Sequence, residues 1–162
     1  MADMLQLHHR VSQVLFHEAR LLDERRWDEW NALFTPDGAY WAPATPDQPD
    51  AENHVSLIYE NDLLRKVRIA RFASPNAPSL QPFPRTVHLL SNVMVDAHDS
   101  GSGEVVATSR FLMVECRRDK QQFYAGAYRH ELASETDGYR IRQKRVDLVN
   151  CDGAHESSSV WF

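Results

Sequence analysis

Seven polar side chains in this chain are candidates for acid–base chemistry on a carbon acid. They comprise one carboxylate, two imidazoles, one amide and three phenols. A carboxylate or imidazole held in a pocket can act as the base that removes a proton from carbon. Such a pocket would suit an isomerase or a dehydratase. The candidates are Asp37, Tyr40, His88, Asn92, Tyr124, Tyr128 and His130.

Strand periodicity decides whether these side chains can meet. His88 and Asn92 lie an even number of residues apart on one predicted strand, and Tyr124, Tyr128 and His130 share a face of another. If both faces point into one interior, a polar pocket forms there. The structural alternative is the one we favour. A strand histidine is commonly a satisfied structural or interface residue, a strand tyrosine packs by its ring, and an aspartate in a Pro-Asp-Gly turn caps that turn.

The sequence lacks the spacings of metal and phosphate sites. A Rieske cluster needs two cysteines and two histidines in short pairs, and neither Cys-x-His nor Cys-x-x-His occurs. Asp152 precedes His155 by three residues, but the second histidine of an iron site is missing. His17 and Glu18 begin a zinc-protease motif whose second histidine is replaced by Leu21. We therefore predict no metal, cofactor or catalytic centre in this chain.

Length and composition restrict the class of protein. One core fits 162 residues, so we predict a single domain over residues 1–162. A 43% apolar and 25% charged composition is typical of a soluble globular protein. The sequence has no long apolar run and no secretion leader, which predicts a cytoplasmic protein. A net charge of −5 argues against nucleic-acid binding, and the distant Cys116 and Cys151 are interpreted as free thiols.

Helices come first among the elements that must position these residues. Apolar residues recur at helical spacing from Met4 to Asp23, and Trp27 to Phe34 has the aromatic anchors of a short second helix. Pro36-Asp37-Gly38 predicts a stop and a turn before a short strand, Ala39 to Ala42. Leu57 to Phe72 returns to helical spacing, with its arginines largely opposite its apolar residues.

From Arg85 onward the apolar period changes to two. Turns at residues 99–103, 119–120 and 136–138 divide this part into four strands, an antiparallel meander. The preceding residues 74–84 contain four prolines and are predicted to be irregular. Helices followed by a meander predict an α+β fold with the helices on one face of a curved sheet. A cone of this shape either encloses a pocket or fills with side chains.

Two features indicate contacts with other subunits. The arginine-rich helix carries Arg65, Arg68 and Arg71, and arginine forms directional pairs with carboxylates across interfaces. The alternative is a solvated helix face. Trp161 and Phe162 are two large aromatics that a monomer would not expose, so burial at a neighbouring subunit or against the sheet is expected. These five residues are the predicted interface.

Three segments together resemble the small (β) subunit of aromatic-ring-hydroxylating dioxygenases. The first is FHEARLLDERRWDEWNALFTPDGAYW, from Phe16 to Trp41. The second joins Ser56–Tyr59 and the arginine-rich helix to RTVHLLSNV, from Arg85 to Val93, and the third is Tyr128 to Asn150. The sequence of the first helix is most similar to the branch that acts on benzoate- and toluate-type acids. The His-Leu-x-Ser-Asn-Val strand alone would indicate only the wider nuclear-transport-factor-2-like superfamily.

This resemblance implies a non-catalytic structural subunit in the terminal oxygenase of an NADH-dependent system that degrades aromatic compounds. It implies a cone-shaped nuclear-transport-factor-2-like fold and an α3β3 hexamer, in which three β subunits form a trimer. The Rieske [2Fe–2S] cluster and the mononuclear Fe(II) are expected in the partner α subunit, and a reductase or ferredoxin acts through that subunit. A free-standing isomerase, dehydratase or ligand-binding protein of the same fold is the alternative.

Overall fold

The computed structural model describes residues 2–74, 76, 80–154, 158 and 160–162. This part of the chain forms three α-helices and one six-stranded sheet. The helices are α1 (Ala2–Asp23), α2 (Trp27–Ala32) and α3 (Asp62–Phe72). The strands are β1 (Phe34–Pro43), β2 (Ser56–Glu60), β3 (Arg85–His98), β4 (Val105–Arg117), β5 (Lys120–Glu135) and β6 (Gly138–Leu148).

The strand order of the sheet is β2-β1-β6-β5-β4-β3. Neighbouring strands are antiparallel except β1 and β6, which are parallel. The last four strands form the predicted meander, and α1 packs mainly against β3. The predicted α+β architecture, with the N-terminal helices on one face of a mostly antiparallel sheet, is confirmed.

Helix α1 buries an apolar stripe at helical spacing. Val11, Leu15 and Leu22 are at most 1% exposed, while Arg20 and Glu24 pair at 2.8 Å on the solvated side. The stripe is what holds the helix on the sheet, since helical propensity alone contributes little. Within the described residues, no helix has both the length and the apolarity needed to cross a membrane.

The turn predicted at residues 36–38 lies inside β1 instead of before it. Phe34 pairs with Ile141, and the register of β1 against β6 then shifts before Ala39. A Cβ on Gly38 would lie 2.7 Å from the main-chain oxygen of Ile141. The glycine therefore permits two backbones to approach closely at a bulge and does not reverse the chain. Phe34 begins β1 and does not end the second helix.

The helix predicted over Leu57–Phe72 is wrong in its first part. Ser56–Glu60 form β2, an edge strand, and α3 starts only at Asp62. The side chain of Asn61 caps α3 by accepting a hydrogen bond from the Leu64 N–H at 3.0 Å. The apolar residues of β2 fit strand and helix spacing equally well, so periodicity could not separate the two.

Helix α3 also presents the opposite face from the predicted one. Arg65 is fully buried, whereas Leu63, Leu64 and Val67 are 67%, 48% and 58% exposed. The prediction that Arg65 lies on a solvated or intersubunit face with the other two arginines is therefore wrong. Of the proline-rich segment, residues 75 and 77–79 lie outside the described residues.

Candidate functional site

The interior between α1 and the sheet contains a buried cluster of charges centred on Glu18. Its Oε1 accepts hydrogen bonds from Lys144 Nζ at 2.8 Å and from Trp30 Nε1 at 3.1 Å. Its Oε2 lies 3.0 Å from His130 Nε2. The side chains of Glu18, Lys144 and His130 are at most 1% exposed. Since α1, α2, β5 and β6 each contribute one residue, only the folded chain assembles this cluster.

Burial and ion pairing act in opposite directions on the pKa of Glu18. Burial alone would raise this pKa, but Lys144 and His130 together hold it well below the usual range of a carboxyl. Burial lowers the pKa of Lys144, and Glu18 opposes that shift. Glu18 is therefore a carboxylate, and it forms a buried ion pair with Lys144 at 2.8 Å. A carboxylate that is buried away from solvent and already engages three protein partners is poorly placed to act as a general base on a substrate.

The main chain of Phe162 forms hydrogen bonds with two buried side chains of the same interior. Its main-chain oxygen accepts hydrogen bonds from Lys144 Nζ at 3.0 Å and from the Tyr40 hydroxyl at 3.1 Å. Its N–H donates to the same hydroxyl at 3.0 Å. Its ring lies 4.9 Å from that of Tyr124. The buried Lys144 and Tyr40 thus bond to the main chain of Phe162.

Trp161 completes an aromatic cluster in the same region. Its ring lies 4.3 Å from Trp30, 5.7 Å from Trp27 and 5.4 Å from Phe72. Its indole N–H donates to Glu60 Oε2 at 2.8 Å. Trp161 is 0% exposed, so this chain itself buries it. The prediction that Trp161 lies at an interface, and the same prediction for Phe162, is therefore replaced by burial inside the subunit.

Arg65 is a second buried charge and ties α3 to its neighbours. Its guanidinium donates to Asn31 Oδ1 at 2.7 Å and to the main-chain oxygens of Gly38 and Glu60 at 2.8 and 3.0 Å. It also lies 4.0 Å above the ring of Phe34. Burial lowers the pKa of Arg65 to about 10, which leaves it charged at neutral pH. The arrangement fixes the rotation of α3 and so exposes the apolar side of that helix.

His88 lies in a separate pair at the end of α1. Its Nδ1 is 2.6 Å from Asp23 Oδ1, and its main-chain N–H donates to Asp23 Oδ2 at 2.9 Å. The Thr86 hydroxyl donates to Asp23 Oδ1 at 2.9 Å. His88 Nε2 is buried and has no partner among the described residues. The carboxylate of Asp23 thus anchors the end of α1 to edge strand β3.

Only some of the predicted pocket residues converge. The prediction that His88 and Asn92 share a face is wrong, because a register shift after Ser91 and a φ of +53° turn Asn92 outward. Asp37 is exposed at the bulge of β1, where a hydrogen bond from the Thr35 side chain holds its pKa below the usual range.

Tyr124, Tyr128 and His130 do share the buried face of β5, as the period of two indicated. Tyr128 stacks on Phe111 with ring centroids 4.1 Å apart, and burial raises the pKa of its hydroxyl well above the usual value. Burial likewise raises the pKa of Tyr40. Both phenols stay neutral, and their rings fill the cone between the sheet and α1.

Sequence reasoning missed Glu18 and Lys144 as partners. A signal was present, since Glu18 lies three residues after Leu15 on the buried stripe of α1. Lys144 lies two residues before Val146 on the buried face of β6. Two residues of opposite charge at core positions indicate a buried ion pair.

Metal ligands do not cluster in the described part of the chain. No group of three or more His, Cys, Asp or Glu side chains there could hold a metal ion. His155, half of the acid–histidine pair noted above, lies outside the described residues. Cys151 is buried and Cys116 is half-buried, and no disulfide joins the two.

Comparison with known sequences identifies relatives along most of the chain. Residues 17–152 match the ring hydroxylating beta subunit family. The 2-halobenzoate 1,2-dioxygenase small subunit of Burkholderia cepacia is 32% identical, over 93% of this chain and 93% of the relative. The benzoate 1,2-dioxygenase subunit beta of Acinetobacter baylyi is 27% identical, over 87% of this chain and 85% of the relative.

Solved structures show the same architecture. The beta subunit of benzoate 1,2-dioxygenase from Burkholderia mallei has a TM-score of 0.73 at 26% identity, covering 86% of this chain and 89% of that one. A naphthalene 1,2-dioxygenase chain has a TM-score of 0.82 at 18% identity, covering 97% and 86%. An NTF2-like protein from Novosphingobium aromaticivorans has a TM-score of 0.65 at 13% identity, covering 92% and 86%. The predicted nuclear-transport-factor-2-like fold is therefore confirmed.

Proposed function

The chain belongs to the ring hydroxylating beta subunit family, and we propose that it is the structural subunit of an oxygenase that hydroxylates aromatic acids. The family match over residues 17–152 carries this proposal. The interior supports it, because the buried charges of Glu18, Lys144 and Arg65 are all engaged in bonds that hold elements together. The alternative of an isomerase or dehydratase has less support, because Asp37 and Asn92 are exposed and His88 pairs with Asp23 apart from the buried cluster.

The proposed partner is a large (α) subunit, because the relatives are small subunits of multi-subunit dioxygenases. That subunit would hold the Rieske [2Fe–2S] cluster and the mononuclear Fe(II), whose ligands are cysteines, histidines and a carboxylate. Three large and three small subunits would form the hexamer, with the small subunits in contact as a trimer. A reductase or ferredoxin would deliver electrons from NADH to the large subunit, in the cytoplasm.

Purification of this chain with and without its large subunit tests the proposal. By itself the chain should bind no iron and oxidise no aromatic ring, because its charged side chains serve packing. Co-expressed with the large subunit, it should elute in one complex that contains both iron and ring-hydroxylating activity. Iron quantification, activity assays and gel filtration measure these outcomes. Stoichiometric iron bound by this chain alone, or failure to co-elute with the large subunit, would refute the proposal.

A surface groove next to α3 is the proposed contact for the large subunit. The groove has a volume of about 570 Å³, and Leu64, Val67, Arg68 and Arg71 are among its lining residues. Arg68 donates to Glu60 Oε1 at 2.7 Å, so its charge is already compensated. Within the described residues, Arg71 makes no hydrogen bond or ion pair. An exposed apolar groove with an available guanidinium suits a partner segment that carries a carboxylate.

Reversing the charge at Arg71 should weaken binding of the large subunit. Arg71→Glu places a carboxylate where we propose that a partner carboxylate docks, so the yield of complex should fall about tenfold or more. Arg20→Glu on α1 is the control, since its side chain is also exposed, at 72%, and lies outside the groove. Quantitative co-purification measures both variants. A full yield of complex from Arg71→Glu would remove this groove from the interface.

A further inference from the structure

Strand β2 is an edge of the sheet and pairs with β1 on one side. In the described part of the chain, no other strand pairs with its second side. Every second residue of an antiparallel strand points its N–H and C=O groups away from a given neighbour. The five residues Ser56–Glu60 therefore direct about half of their main-chain hydrogen-bonding groups toward the free edge.

The groove next to α3 runs along this free edge. Four consecutive residues of β2, from Leu57 to Glu60, line the groove. Neighbouring side chains of a strand point to opposite faces of the sheet. A groove that contacts four residues in succession therefore lies beside the strand and not over one of its faces. Since β1 covers the other side of β2, the groove lies at the unpaired edge.

One face of α3 forms the opposite wall of the groove. The lining residues Leu64, Val67, Arg68 and Arg71 recur at helical spacing. The two apolar residues are about half exposed in the isolated chain. Arg68 is bonded to Glu60, whereas the side chain of Arg71 makes no hydrogen bond or ion pair with the described residues. This wall thus offers apolar contacts and one available guanidinium.

The two edges of the sheet differ in how they are protected. Folded proteins usually cover an open strand edge or place charges on it. At the opposite edge, α1 packs against β3, and Asp23 accepts a hydrogen bond from the main-chain N–H of His88 at 2.9 Å. Strand β2 instead exposes Leu57 and Tyr59, at 39% and 44%. This contrast indicates that the edge of β2 is covered in the assembled protein.

The dimensions of the groove suit a short extended segment. At a rise of about 3.3 Å per residue, β2 offers roughly 17 Å of edge. A segment paired with β2 would lie about 4.8 Å from it, within the groove of about 570 Å³. Every second side chain of that segment would then face Leu64 and Val67 on α3.

We propose that a segment of the large subunit binds in this groove as an added strand, paired with the free edge of β2. In this mode of recognition, main-chain hydrogen bonds supply affinity and contacts of alternate side chains supply specificity. The segment has apolar residues toward α3 and a carboxylate that pairs with Arg71. The inference rests on the proposed function, in which this groove contacts the large subunit, and adds the conformation of the bound segment.

Hydrogen exchange tests the main-chain pairing directly. When the purified large subunit binds, alternate amides of residues 56–60 should exchange about tenfold or more slowly than in the free chain, because a hydrogen-bonded amide exchanges only after local opening. Mass spectrometry with fragmentation to single residues measures this alternation, which side-chain packing alone would not produce. The amides of the central strand β5, which are paired on both sides in the free chain, provide the internal reference.

A charge on the α3 wall should weaken the same complex. Val67→Asp places a carboxylate where apolar side chains of the added strand pack, so the dissociation constant should rise about 30-fold or more. Leu63→Asp is the matched control, since Leu63 is 67% exposed on the same helix and is not among the groove-lining residues. Biolayer interferometry against the large subunit measures both variants. Circular dichroism should show both folded, because these positions are exposed.

The outcomes separate this inference from the proposed function. A complex in which the amides of residues 56–60 exchange as fast as in the free chain would overturn the inference and leave the proposed function intact. Uniform slowing along β2 and α3 without alternation would also overturn it, because it would indicate side-chain packing without an added strand. Equal affinities of Val67→Asp and Leu63→Asp would exclude this groove as the site. Failure of the wild-type chain to bind the large subunit would refute the proposed function itself.

Discussion

Glu18→Ala should lower the free energy of unfolding by about 3–5 kcal/mol, the cost of leaving a buried charge without its partner. The substitution removes the acceptor of Lys144 and Trp30 and the partner of His130 in a region that water does not reach. Urea denaturation followed by tryptophan fluorescence measures the change. A surface carboxylate in the turn directly after the same helix provides the control, since Glu24 pairs only with exposed arginines and Glu24→Ala should cost less than about 1 kcal/mol.

The pairing of Glu18 with Lys144 can be isolated by removing both charges. Glu18→Leu combined with Lys144→Met should be less destabilising than the sum of the two single substitutions, because neither charge is then buried alone. Strict additivity would mean that the two side chains stabilise the fold independently. A Glu18→Ala variant as stable as wild type would show that the buried contacts of Glu18 do not stabilise the fold.

Trp161→Ala should destabilise the subunit by about 3–5 kcal/mol, as for other fully buried tryptophans. The substitution leaves a cavity between Trp30, Trp27 and Phe72 and removes the N–H that Glu60 accepts. The unfolding midpoint in urea measures this effect as well. Because the buried indole is part of the core, the loss should appear in the isolated chain, without any partner.

Two further variants show which part of Trp161 matters. Trp161→Phe retains most of the ring packing and loses the hydrogen bond, so it should cost about 1–3 kcal/mol. Phe16→Ala removes an aromatic ring that is 43% exposed and should cost less than the loss of Trp161. Equal stability of Trp161→Ala and wild type would mean that the end of the chain contributes to assembly instead of to the core.

The filled interior and the exposed apolar surfaces together fit a structural subunit. In the interior, the buried Lys144 bonds to Glu18 and to the main chain of Phe162. On the surface, the groove next to α3 and the outward face of β3, β4 and β5 leave apolar side chains in solvent. Small folded subunits rarely leave two such surfaces uncovered without partners. The buried side chains stabilise the subunit, and the exposed apolar surfaces suit contacts with partner subunits.

Local sequence patterns were sufficient to predict several helices and strands. The stripe of Val11, Leu15 and Leu22 predicted α1, and the period of two predicted the meander, since each pattern records which side of an element is buried. They were insufficient at β2, where the three consecutive apolar residues 57–59 show no period. They were also insufficient at the bulge near Gly38, which exists only because another strand passes close by.

The amino-acid sequence by itself determined the family, the order of helices and meander, and the lack of metal-ligand spacings, because these depend on neighbouring residues along the chain. Tertiary structure alone decided that Arg65 points inward and the leucines of α3 point outward. It also decided that Glu18, Lys144 and Phe162 meet in one interior. Those residues are far apart in sequence, and a buried charge can be placed only where distant elements supply its partners. Which side of a helix faces the core is likewise set by the contacts available across the fold.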